Sequence, residues 1–135
     1  MRATRILLVI NAASLLLLAA APLVAHHSFA AEFDSTKPVK LTGKVTKVEW
    51  TNPHAYFYLD VADEQTGKPI NWSVELGGPG ALVRLGWTRT SMKVDDIVTV
   101  EGTLARYKSN LANARSVVLT GTGQKLGAAS SEGTR

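Results

Sequence analysis

The chain has 135 residues, which is room for one domain. Its formal charge of +4 comes from 15 basic and 11 acidic residues; without Arg2 and Arg5, which belong to a leader, 13 basic residues remain and the balance falls to +2. So mild a charge does not imply a nucleic-acid or membrane-surface partner, and the lack of cysteine excludes thiolate metal sites, disulfides and a thiol nucleophile.

Residues 1–25 read as a secretory signal peptide with a helical apolar segment. Arg2 and Arg5 form its basic head, residues 6–21 are almost wholly apolar, and the segment closes on small residues ending at Ala25. An uncleaved membrane anchor is the competing reading, but Asn11, Ser14 and Pro22 leave the uninterrupted run short of the ~20 residues of a spanning helix. Cleavage after Ala25 is preferred to cleavage after Ala21, which would leave Pro22 as the new terminus. The mature protein is then expected in the periplasm or secreted, touching the membrane only during export.

Residues 26–37 form an N-terminal arm in which Phe29 and Phe33, four apart, can pin the segment to the body. From Val39 the apolar residues alternate with polar ones through Val45, the signature of a half-buried strand. The phase then shifts to Val48 and Trp50, which predicts a bulge near Thr46-Lys47. Thr51-Asn52-Pro53-His54 is a turn. The second strand spans 55–61, with Ala55, Phe57, Leu59 and Val61 on one face and Tyr56, Tyr58 and Asp60 on the other. After a loop closed by Gly67, the third strand places Ile70, Trp72, Val74 and Leu76 inward and Asn71, Ser73 and Glu75 outward.

Gly77-Gly78-Pro79-Gly80 interrupts the sheet, and residues 81–86 read as a short helix stopped by Gly86. A fourth strand is expected over 94–104, a polar loop over 105–113 and a fifth strand over 115–120. The Gly/Ser/Thr-rich residues 121–135 read as a disordered tail. Three strands, a helix and two strands form the order of an all-β, five-stranded, OB-like Greek-key barrel over residues 38–120; an open five-stranded sheet is the alternative.

AHHSF-x-x-EFD at 25–34, the run from Gly43 through Trp50, Asn52, Pro53 and His54, and W-x-V-E at 72–75 followed by L-x-R-x-G-W at 82–87 together resemble the exported bacterial domain-of-unknown-function family 6152. The family often has Gly before Asp in the turn ahead of strand four, where this chain has Lys93-Val94-Asp95-Asp96. The resemblance implies export and the architecture above, and supplies no mechanism.

Two constellations carry chemistry. If cleavage follows Ala25, His26 offers an α-amine and an imidazole; with His54 they would make a nitrogen-rich metal site suited to Cu(II), less specifically to Zn(II) or Ni(II), with Glu49, Tyr56 or Glu75 adding an oxygen. Equally, His26-His27 serve as a docking element and His54 stabilises its turn, in which case no cofactor is needed. The second constellation is a binding face around Trp50, Asn52, His54, Tyr56, Tyr58, Trp72 and Glu75, on the strands through which OB barrels often bind. Trp72 and Trp50 also fit the core, being in phase with Val74 and Val48. Neither a G-x-S-x-G elbow nor an H-E-x-x-H helix is present. The sequence therefore points to a non-enzymatic module for a partner protein or a small ligand, with copper binding as the alternative.

Overall fold

The computed structural model describes residues 28–132. The expected signal peptide and His26-His27 lie outside the described residues.

A single helical turn, α1 (Phe29–Glu32), opens the described chain and runs directly into a long strand, β1 (Phe33–Glu49). The rings of Phe29 and Phe33 stack at 5.4 Å, and Phe33 is buried. Much of the expected arm is thus strand: Phe33 pairs with Ala105, and the Arg106 side chain donates to the Ala30 carbonyl at 2.8 Å. β2 (Tyr56–Ala62) and β3 (Pro69–Glu75) follow, then α2 (Pro79–Arg84), β4 (Ile97–Ala105), β5 (Leu111–Leu119) and β6 (Gln124–Gly127).

The fold is all-β, as the alternation implies. The strands form one sheet in the order β3-β2-β1-β4-β5-β6, and β3 also pairs with β5 in parallel over Ser73–Glu75 and Leu111–Asn113. That pairing gives each of the first five strands at least two neighbours, so the circuit β1-β2-β3-β5-β4 returns to β1. The bulge expected near Thr46-Lys47 is present as a register shift between Val45 and Lys47. The core consists of the inward residues, among them Val45, Phe57, Leu59, Val74, Val98, Val100 and Val117, with Leu82 of α2 closing one end. Gly43 sits where an added Cβ would lie 2.3 Å from the Asp60 carbonyl oxygen, so two strands approach there more closely than any side chain allows.

Three expectations need correction. The fifth strand begins at Leu111, not Arg115, because Ala112 and Ala114 are fully buried inward residues whose small side chains give little apolar signal. The fourth begins at Ile97, since 94–96 form the preceding turn, in which Asp95 takes a left-handed φ of 73°. Asp95 is one of the few non-glycine residues here in that region, where glycine would carry no Cβ penalty.

The third correction concerns the tail. Residues 124–127 form β6 against β5, Leu126 and Ala128 are buried, and the Trp87 indole donates to the Gly127 carbonyl at 2.7 Å. One leucine, one alanine and a ladder of backbone hydrogen bonds suffice to order a segment whose composition is polar.

Candidate functional site

The strand registers bring one row of polar side chains together on the face opposite Phe57 and Leu59. Glu49 stands opposite Tyr56, Lys47 opposite Tyr58, Tyr56 opposite Glu75, and Glu75 opposite Asn113. Directly opposed residues are near enough to bond. The Tyr56 hydroxyl donates to Glu75 Oε2 at 2.7 Å, and the Asn113 amide donates to Glu75 Oε1 at 3.2 Å. His54 Nδ1 lies 3.1 Å from the same oxygen. Glu75 is thus the centre of a small network, with both carboxylate oxygens engaged.

Glu75 was expected to face solvent, but only 3% of it is exposed. It does lie on the face of the sheet opposite the core residues, as the alternation requires. What covers it comes from elsewhere in the chain. Asn113, 1% exposed, flanks it from β5, and the Ser130 hydroxyl donates to Asn113 Oδ1 at 2.6 Å. Glu132 continues the cover, accepting from Thr103 at 3.3 Å and lying 3.6 Å from Arg115 Nε. Ala129 takes a left-handed φ of 50°, and the Gly77 amide donates to Ala128, fixing the path of this segment. A carboxylate so enclosed must be satisfied by donors; Tyr56 and Asn113 supply them, with His54 Nδ1 3.1 Å away.

Beside this network lies a cleft of about 470 Å³, lined by Glu32, Glu49, Tyr56, Tyr58, Ser73, Glu75, Tyr107 and Lys108 over an apolar margin of Ala31, Ala105 and Leu111. Its size is in the range of about 300–1,000 Å³ typical of small-molecule sites. One wall is the β2–β3 face; the other is made by α1 and the loop ahead of β5. Tyr107 stands on that loop with 92% of its surface exposed.

The lining is electrostatically uneven. Tyr58 donates to Glu49 Oε2 at 3.0 Å, the Lys47 ammonium pairs with the same carboxylate, and that ammonium also lies 5.2 Å from the centre of the Tyr58 ring. The Lys47 hydrogen bond, followed by that of Tyr58, holds the Glu49 carboxyl below its ordinary pKa. Burial, with the hydrogen bond to Glu75, pushes the Tyr56 hydroxyl far above the ordinary phenol value. Tyr56 therefore remains a protonated donor. Glu32 and Lys108 make no side-chain hydrogen bond or ion pair among the described residues.

Of the residues singled out from the sequence, Tyr56, Tyr58 and Glu75 meet at the cleft, and His54 bonds to its floor. Trp50 and Trp72 instead pack against the core, and Asn52 is exposed in the turn, joined to Pro53 by a cis peptide bond. His54 and Glu75 are not joined by a third histidine or carboxylate into a metal-holding group among the described residues, and His26 lies outside them. Sequence reasoning missed Glu32, Tyr107 and Lys108 at the rim, and Asn113 and Ser130 behind the floor. Glu32 alone had a signal, standing one turn from Phe29 beside Phe33.

Fold and site together define a small all-β domain with a polar–aromatic cleft beside the Glu75 network. The family of unknown function DUF6152 matches residues 13–125, and the protein belongs to it. No curated protein matches the chain. Among solved structures it is similar to the one described as the crystal structure of the ZRD-deleted mutant of TiaS in complex with agmatine, at 18% identity and a TM-score of 0.43, over 64% of this chain and 22% of that one.

Proposed function

We propose that the protein is an exported, non-enzymatic binding module that holds a small ligand in the cleft between the β2–β3 face and the loop bearing Tyr107. The observation that carries this reading is the Glu75 network: a buried carboxylate bonded by Tyr56 and Asn113, with His54 against it, makes a rigid floor. Preorganised polar groups beside aromatic faces favour binding, because little ordering entropy is lost when a ligand arrives. Glu75 has both oxygens engaged and Tyr56 retains its proton, so the floor presents fixed dipoles and no free base. Export rests on the leader sequence.

The test is native mass spectrometry of the protein expressed with its own leader and recovered from the exported fraction. The intact mass should begin at His26, and a small-molecule adduct should be present and absent from Tyr58→Ala and Tyr107→Ala, both folded. A protein retained in the cytoplasm with residues 1–25 attached would end the export reading. An adduct unaffected by both substitutions would end the cleft reading.

Copper binding is the second reading. Glu75 engages His54 Nδ1, which leaves Nε2 of a ring about one-third exposed available as a ligand. Titration with Cu(II) against a competing chelator should then show tight binding that is lost in both His26→Ala and His54→Ala. Unchanged affinity in either variant removes this reading.

A further inference from the structure

The charged residues of the cleft fall into two groups. Glu49 is engaged by Lys47 and Tyr58, and Glu75 by Tyr56, Asn113 and His54. Their charge is already answered within the protein. Glu32 and Lys108 line the same cleft, one carboxylate and one ammonium, and neither bonds to the other or to any other described side chain. The two sit on the same wall, Glu32 at the end of α1 and Lys108 on the loop after β4, which the Arg106 amide joins to the Glu32 carbonyl at 2.8 Å. The exposed ring of Tyr107 and the apolar margin of Ala31, Ala105 and Leu111 line the same cleft.

Resting on the cleft reading above, we infer that its ligand is a small zwitterion of the amino-acid class, bearing an ammonium group, a carboxylate and an apolar or aromatic body. Its ammonium pairs with Glu32 and its carboxylate with Lys108. Its body lies against the Tyr107 ring, because the Tyr58 ring is already occupied by the Lys47 ammonium. A purely anionic ligand would meet three carboxylates in the lining, and a purely cationic one would leave Lys108 unanswered. Opposite charges lining one cleft without a partner among the described side chains select a ligand carrying both, since each wrong partner leaves a charge desolvated without compensation.

Three near-isosteric probes separate the terms: L-phenylalanine, phenethylamine, which lacks the carboxylate, and 3-phenylpropionate, which lacks the ammonium. By isothermal titration calorimetry on the mature protein, phenylalanine should bind about three- to tenfold more tightly than either analogue. Glu32→Gln should abolish its advantage over 3-phenylpropionate, and Lys108→Gln its advantage over phenethylamine. Tyr107→Ala should weaken all three. Both charged side chains are at least partly exposed, so these variants should fold, and an unchanged melting temperature confirms it. Equal binding of phenylalanine and either analogue overturns the zwitterion inference and leaves the cleft reading standing. Binding of none of the three at about 1 mM also overturns it; the cleft reading then falls only if the exported protein carries no adduct either.

Discussion

Replacing Glu75 by alanine tests the site's construction at its centre. Two donors and a histidine ring converge on this carboxylate: Tyr56 at 2.7 Å, Asn113 at 3.2 Å and His54 Nδ1 at 3.1 Å. After truncation the His54 ring can turn to water, since its side chain is 36% exposed. Asn113, at 1% exposure, has no such recourse, and the half-buried Tyr56 has little. An orphaned buried donor costs about 1–3 kcal/mol, so two of them should cost roughly 2–5 kcal/mol. That is a large part of the roughly 5–15 kcal/mol that holds a domain of this size together. Glu75→Gln keeps one carbonyl oxygen for Asn113, and its amide can donate to the Tyr56 oxygen, so about 1–2 kcal/mol is expected. Urea unfolding followed by tryptophan fluorescence and far-UV circular dichroism measures both. The midpoint should fall in the order wild type, Gln, Ala at constant m-value. An alanine variant within about 0.5 kcal/mol of wild type would mean that the three contacts are incidental, and the rigid floor would have to be abandoned.

Further outcomes follow from other parts of the molecule. Leu126→Ala should destabilise by about 2–4 kcal/mol, because this one side chain anchors β6 in the core; limited proteolysis should then cut within 121–132, and a variant as resistant as wild type would show that the tail docks by backbone pairing alone. Gly43→Ala should cost about 1–3 kcal/mol, since the new methyl would sit 2.3 Å from the Asp60 carbonyl; an unchanged thermal midpoint would contradict that close approach. The depressed pKa of Glu49 means that its pairing with Lys47 contributes stability above the ordinary carboxyl value of 4.5 and loses it as the pH falls through the lower folded value. Between about pH 6 and about pH 3, Glu49→Gln should therefore lose less stability than wild type, and added salt should narrow the gap.

Much of this architecture is legible in the alternation of single residues. Tyr56, Tyr58 and Glu75 could be assigned to one face because strands carry a period of two, and Thr46 could be marked as a bulge because Val45 and Val48 are out of phase. Gly86, at a φ of 93°, ends α2 where the sequence places the stop. What escaped is long-range or cooperative. The Glu75 network is completed by Asn113, itself bonded by Ser130, and no local pattern can announce partners supplied from so distant a segment. β6 escaped because its anchors are a leucine and an alanine among polar residues. The rim residues Tyr107 and Lys108 lie in a loop, where periodicity has nothing to say.

Amide chemical-shift mapping of the isotope-labelled mature protein, titrated with L-phenylalanine and its two analogues, tests the central claim that the cleft over Glu75 is the binding site. The account expects the perturbations to gather on Glu32, Tyr56, Tyr58, Ser73 and the Tyr107–Lys108 loop, and to disappear in Tyr107→Ala. Perturbations gathered instead on the groove of Pro38, Lys40, Glu101 and Arg115, or shifts at the cleft that survive the loss of Tyr107, would contradict it.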